Sequence, residues 1–286
     1  MCGIIIVMMD YYNRAKYFRT KKRLGQNFLI NGEVIQDIIE YANITPDDII
    51  VEIGPGVGFV TEQLVKHAKK VIAIELDEEA VTELKKLNAP NLEIIHNDVL
   101  KTDLSVLTDE KFKVVANIPY YITSPIIAHL LGEIDDLNNK NRAKIKDIIL
   151  MVQEEVALRM TADENSPSKQ YGLLSLLSQF WADTEILRLV GRKSFYPAPK
   201  VNSALVKLVV NDLPRLQLKD YSFFRRVVKA TFSQRRKTLK NCLINNGFDK
   251  EKVKQMFIDL KLDENIRGEK ISITKFGNIS EYLFKK

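Results

Sequence analysis

The chain has 286 residues, 45% of them hydrophobic, enough for one large domain and a smaller one. Two cysteines, Cys2 and Cys242, exclude a disulfide framework and suit a reducing cytoplasm; the three histidines, His67, His96 and His129, have no metal-ligand spacing, so no metal is expected. The net charge of +6 conceals an asymmetry: residues 1–30 hold 6 basic side chains against 1 acidic, residues 31–210 hold 19 against 27, and residues 211–286 hold 18 against 9. Basic flanks around an acidic middle point to a polyanion held by the flanks, although solvated Lys-rich faces give the same count.

The N-terminal MCGIIIVMMDYY contains an apolar run, Gly3 to Met9, that is too short to cross a bilayer and lacks the basic lead of a signal peptide. No membrane association is expected. Residues 1–21 are expected to form a basic, flexible extension, with Met8 or Met9 as alternative starts. From about Thr45 to Gln153, five β-rich runs alternate with amphipathic stretches: DIIVEIG, KVIAIEL, LEIIHND, KVVANIP and DIILMVQ. That alternation predicts a parallel sheet with helices on both faces. The polar segment Asn138 to Lys146 reads as a loop. Tyr171 to Trp181 reads as a helix, and Glu185 to Val190 and Ala204 to Val210 as strands. Between those strands Pro197 and Pro199 keep SFYPAPKVNS out of helix and out of a central strand. Beyond Leu213 the strand signal fades, and Tyr221 to Asn246, Lys250 to Leu260 and Ile273 to Phe284 have helical spacing. The expected fold class is α/β, a Rossmann-like sheet over residues 22–212 followed by a small helical domain over residues 213–286.

VEIGPGVG, ending at Gly58, falls where the first strand gives way to a helix. Gly54, Gly56 and Gly58 permit a tight turn and close approach of backbone to a ligand. Glu75 closes the second strand, where a carboxylate can accept hydrogen bonds from ribose hydroxyls. A ligand-free βα turn is the ordinary alternative. The spacing is G-x-G-x-G, not the G-x-G-x-x-G that closes a helix onto a pyrophosphate, which favours S-adenosylmethionine over a dinucleotide. Asp98, after the third strand, adds a carboxylate where a cofactor adenine would lie. The fourth strand runs into Asn117-Ile118-Pro119-Tyr120. The lone pair of an adenine amine is delocalised into its ring. Hydrogen bonds from that amine to the Asn117 side-chain oxygen and the Pro119 carbonyl would return density to nitrogen, and Tyr120 offers a face on which an extruded base can stack.

With those motifs the chain resembles the ribosomal RNA small-subunit adenine N6,N6-dimethyltransferase family, from about Lys22 to the C-terminus. LGQNFL (Leu24 to Leu29), VEIGPGVG, VIAIELD, HNDVL, NIPYYITSP, SFYPAPKVNSALVKL and TFSQRRKTL match its successive motifs; Ile118 stands where many relatives have Leu. The resemblance implies cofactor contacts from Asn27, Leu29, Gly54, Glu75, Asp98 and Asn117, and a second aromatic wall for the target base from Phe195. It implies methyl transfer from S-adenosyl-L-methionine, giving S-adenosyl-L-homocysteine, to two adjacent adenosines near the 3′ end of small-subunit rRNA. The expected partner is that rRNA in a pre-30S-type particle, met by a cytoplasmic monomer.

Arg225, Arg226 and Lys229 fall within one helical turn, and Arg235, Arg236 and Lys237 cluster; both groups suit RNA phosphates, as does the basic arm from Arg14 to Arg23. Two rivals are weighed. One is the macrolide-resistance methyltransferase of large-subunit rRNA, which shares the NIPY and PKVNS strings. The other is a mainly non-catalytic assembly factor, against which the intact glycine loop and NIPY argue.

Overall fold

The computed structural model describes residues 2–21, 24–167 and 169–285; the side chains of residues 2–9 and of Tyr120 lie outside that description. The chain forms two compact units. One comprises Met1–Leu131, Asn138–Ala157 and Asp183–Val210, the other Gly132–Leu137, Leu158–Ala182 and Asn211–Lys286. In chain order the elements are α1 (Cys2–Tyr17), β1 (Phe28–Leu29), α2 (Gly32–Tyr41), β2 (Ile49–Ile53), α3 (Thr61–His67), β3 (Lys70–Glu75), α4 (Glu78–Lys85), β4 (Leu92–His96) and β5 (Phe112–Asn117). There follow α5 (Thr123–Leu131), α6 (Lys140–Lys144), β6 (Ile145–Gln153), α7 (Glu154–Thr161), α8 (Leu173–Trp181), β7 (Ala182–Val190), β8 (Phe195–Tyr196) and β9 (Ser203–Val210). The chain ends in α9 (Tyr221–Phe232), α10 (Leu239–Asn245), α11 (Lys250–Asp259) and α12 (Ile273–Phe284).

The seven-stranded sheet has the order β4-β3-β2-β5-β6-β9-β7. β2 pairs in parallel with β3 and β5, β3 with β4, and β5 with β6, whereas β9 runs antiparallel to β6. Strands covered on both faces need unbroken apolar runs, and IIVEI of β2 is buried at every position. The edge strand β4 is only half covered. Strand order reverses between β2 and β5, and a crevice opens at the carboxyl ends of strands at such a point. β1 and β8 form a separate antiparallel pair, Phe28 opposite Tyr196 and Leu29 opposite Phe195.

Two local expectations differ from the structure. Where a flexible extension is expected, α1 is a helix: Tyr11 and Ala15, four residues apart, are buried, the Tyr11 ring lies 4.8 Å from that of Phe59, and Arg14 pairs with Glu62. Where a loop is expected, α6 is capped by Asn139, whose side chain accepts from the Arg142 N–H at 2.8 Å. Its buried residues, Asn141 and Arg142, are polar, so apolar periodicity gives no sign of it.

In the second unit α8 packs through Phe180, whose ring stacks on Phe224 of α9 at 5.6 Å. The single helix expected over Tyr221 to Asn246 is two. α9 stops at Phe232, and Thr238 starts α10 by accepting from the Asn241 N–H at 3.4 Å. The SQRRK segment is the turn between them.

Candidate active site

The crevice is walled by the glycine loop after β2, the ends of β3 and β4, the NIP segment after β5 and the LGQNFL segment. Gly54 has φ 68° and Gly56 has φ 58°, in the left-handed region that suits glycine. A Cβ on Gly56 would lie 2.7 Å from Cε1 of Phe28, so the loop lies directly against the β1 ring. A Cβ on Gly54 would meet nothing nearer than the Asn117 carbonyl at 3.7 Å, so this glycine leaves open space on the crevice.

Glu75 is buried at the end of β3. Its Oε2 accepts from the Gly56 N–H at 2.9 Å, and its Oε1 accepts from the N–H groups of Leu76 and Asp77, both at 2.8 Å. Burial raises its pKa, against the pull of those three donors. A carboxylate has about four lone-pair positions, so one remains for a ribose hydroxyl where two contacts are expected. Glu75 therefore also shapes the loop. Asp98 is half-buried on the wall and accepts from the Leu100 N–H through Oδ1 at 3.0 Å.

Asn117 ends β5 with its Nδ2 donating to the Asn27 carbonyl at 3.0 Å, while the Asn27 side chain donates to the Gly25 carbonyl at 3.0 Å. With its N–H₂ end held, the Asn117 Oδ1 is left as the acceptor on this wall. Leu29 is buried and lines the crevice. Pro119 also lines it, and its carbonyl already accepts from the Ile122 N–H at 3.1 Å, leaving one lone pair. The Tyr120 side chain, expected to stack on the target base, lies outside the described residues. Phe195 is not where the expected second aromatic wall would be. It does not line the crevice but is packed in the core beside Leu29, 3% exposed, with Tyr196 half-buried against the same core.

Three crevice residues, Glu52, Gln26 and Tyr121, had not stood out in the sequence. Glu52, inside the apolar run of β2, is buried and accepts from the Thr61 hydroxyl at 2.7 Å; burial, with the Glu75 charge adding, pushes its pKa to about 8. Asp77 is buried and gathers Lys21 Nζ at 2.5 Å and Gln26 Nε2 at 2.7 Å, while Gln26 accepts from the Lys21 N–H at 2.7 Å. Burial opposes its charge, but Lys21 and Gln26 hold its carboxyl below the usual range. The third is Tyr121, an aromatic of the wall that stays exposed. A lone acid in a strand run was the available signal for Glu52; the Lys21–Gln26–Asp77 cluster joins residues some fifty positions apart and left none.

The profile of the ribosomal RNA adenine dimethylase family matches residues 17–285. The chain belongs to that family. The ribosomal RNA small subunit methyltransferase A of Clostridium botulinum is 42% identical over 273 residues, covering 93% of this chain and 95% of that one. Its counterpart in Bacillus licheniformis is 41% identical over 278 residues, covering 93% and 92%. Among solved structures, a dimethyladenosine transferase from Plasmodium falciparum superposes with a TM-score of 0.72 at 28% identity, covering 87% of this chain and 94% of that one. The 23S rRNA methyltransferase ErmE gives 0.69 at 25%, covering 91% and 100%. The enzyme thus has the Rossmann-like methyltransferase fold with C-terminal helices.

In the second unit of this dimethylase, the two basic groups differ from what their spacing implies. Arg225 is engaged by Glu133 at 3.0 Å and Asp135 at 3.4 Å, and Arg235 donates to the Tyr171 carbonyl at 3.0 Å. Arg226 is exposed with its guanidinium 4.7 Å from the centre of the Phe248 ring, and Lys229, Arg236 and Lys237 are exposed. Among the described residues, no helix is long and apolar enough to cross a membrane, and no group of His, Cys, Asp or Glu is placed to hold a metal ion.

Proposed function

We propose that the enzyme methylates the N6 amine of two adjacent adenosines near the 3′ end of small-subunit rRNA, each twice, using S-adenosyl-L-methionine, and acts as a cytoplasmic monomer on a pre-30S-type particle. The observation that carries this is the Asn117–Asn27 hydrogen bond, which leaves the Asn117 oxygen as an acceptor at the mouth of a glycine-lined crevice. The crevice fits the donor. Open space beside Gly54 suits a methionine moiety, the remaining Glu75 lone pair suits a ribose hydroxyl, and Asp98 suits an adenine amine. Asn27 and Leu29 complete that wall.

The donor, when bound, supplies an electrophilic methyl carbon and leaves as S-adenosyl-L-homocysteine. The protein orients the acceptor. Asn117 Oδ1 and the second lone pair of the Pro119 carbonyl accept hydrogen bonds from the amine N–H groups, drawing the nitrogen lone pair out of the ring. Tyr120 supports the base by stacking. No strong base is required, because the alkylated nitrogen is acidic and releases its proton to water. Catalysis is then mainly positioning. Arg226, Lys229, Arg235, Arg236 and Lys237 serve RNA phosphates, with Arg225 bracing the surface that presents them.

The 42% identity to small-subunit enzymes against 25% to the 23S enzyme supports the small-subunit substrate. The test is incubation of the purified protein and labelled S-adenosyl-L-methionine with unmethylated small or large subunits, followed by nucleotide mapping. Label on two adjacent small-subunit adenosines is expected. Label confined to large-subunit rRNA, or none, would refute the reading.

A further inference from the structure

We infer that Tyr121 is the stacking platform for the nucleotide beside the adenosine being methylated, and so determines specificity for a paired substrate. The inference rests on the reading of two adjacent adenosines as the target. Tyr121 belongs to the single turn Tyr120–Ile122 that follows the amine-gripping Asn117-Ile118-Pro119, and it lines the crevice. It is 59% exposed, whereas the other described aromatics on that wall, Phe28 and Phe59, are 6% and 3% exposed and belong to the core. With Phe195 also turned inward, Tyr121 is the one described aromatic of the site that offers a face to solvent.

Its position is prepared. A Cβ built on Gly25 would lie 3.2 Å from Cε1 and 3.3 Å from Cδ1 of the Tyr121 ring, and 3.4 Å from Cβ of Pro119. The ring therefore rests on bare backbone, and Gly25 is itself held with φ 61° and its carbonyl accepting from Asn27. From the other side, the Ile122 N–H to Pro119 carbonyl bond fixes the turn. A ring so held loses little freedom when a base covers it.

The chemistry supplies the base. Extruding one adenosine leaves its neighbour without a stacking partner on the vacated side. A ring one residue beyond the pocket motif can cover that face without a hydrogen-bond code, and an adenine, with its larger π-face, stacks on it more strongly than a pyrimidine.

The test uses the full-length protein with unmethylated small subunits, S-adenosyl-L-homocysteine affinity and melting temperature being measured in parallel. Tyr121→Ala is expected to lower kcat/KM by at least about fivefold, chiefly through KM, with cofactor affinity and melting unchanged. Tyr121→Phe should retain the wild-type rate. Subunits carrying uridine in place of one adenosine should slow the wild-type enzyme at the remaining adenosine, and Tyr121→Ala should slow it no further. Multiplying effects of the two changes, a Tyr121→Ala rate within twofold of wild type, or a matching loss of cofactor affinity would each overturn the inference. A wild-type enzyme that leaves both adenosines unmethylated would sink the substrate reading and this inference with it, whereas the other failures leave that reading standing.

Discussion

Asn117 has opposite requirements at the two ends of one side chain. Its amide nitrogen is spent on Asn27, 90 positions earlier, so its oxygen is the end left to accept, as the proposed grip on a substrate amine requires. Asn117→Ala removes both the acceptor and the tie, and methylation at saturating cofactor should fall at least about tenfold, the loss of roughly one to two hydrogen bonds. Asn117→Asp should do no better, because a carboxylate oxygen would face the Asn27 carbonyl where the N–H stood; an active Asn117→Asp would show that the tie is dispensable. Glu52 makes a separate prediction. Folded, it holds its proton to about pH 8, while its ordinary pKa is 4.5. The folded state therefore binds more protons between those values, and stability falls as pH rises through that window, by at most about 1.4 kcal/mol per pH unit. Below 4.5 both states hold the proton, and above about 8 both have lost it. Glu52→Gln keeps an acceptor for Thr61 and removes the titration. Denaturation of both proteins across pH 4.5 to 8 should show the variant gaining on wild type as pH rises; a constant offset would mean that Glu52 is ionised in the fold.

Elements were legible where an apolar period carried them. KVIAIEL and KVVANIP read as strands because both faces are buried, and Ile273 to Phe284 reads as a helix because Phe276, Ile279 and Leu283 recur on one side. Where polar groups hold an element, the period is silent, as in α6 with its buried Asn141 and Arg142. In the site, Gly54, Glu75 and Asn117 were readable from their places at strand ends, but Phe195 was not, since its direction depends on pairing with β1. The break between α9 and α10 was hidden for a similar reason: helical spacing continues across it, while the last turn of α9 packs closely on Gly268, far along the chain. A Cβ there would lie 2.2 Å from Cγ2 of Thr231 in α9. Gly268→Ala should cost about 1–3 kcal/mol. Thr231→Ser removes that methyl while keeping a hydroxyl that can donate to the Val227 carbonyl, so it should recover much of the loss. Chemical denaturation of wild type, both single variants and the double variant measures the coupling; simple additivity would place the strain elsewhere.

Across the whole molecule, charge is partitioned by task. The middle of the chain, net acidic, contains most of the crevice, where a cofactor with a sulfonium cation is expected; residues 211–286, net basic, hold 18 basic side chains against 9 acidic. The cations are not equivalent, since Arg225 is paired with two carboxylates of its own unit, whereas Arg226, Arg235, Arg236 and Lys237 are exposed. Each phosphate contact on a nucleic acid releases condensed counterions and steepens the salt dependence of binding by a little under one unit of log–log slope. Replacing Arg226, Arg236 and Lys237 together with Gln should therefore weaken binding to unmethylated small subunits and reduce that slope by about two to three. Affinity for S-adenosyl-L-homocysteine should not change, because none of the three lines the crevice. Arg225→Gln is the contrast: it strands Glu133 and Asp135, so it should lower the melting temperature and leave the slope nearly unchanged. Binding titrations at several salt concentrations decide between the two kinds of arginine. A slope lowered as much by Arg225→Gln alone as by a single replacement from the exposed set would mean that Arg225 releases its acidic partners to reach phosphate.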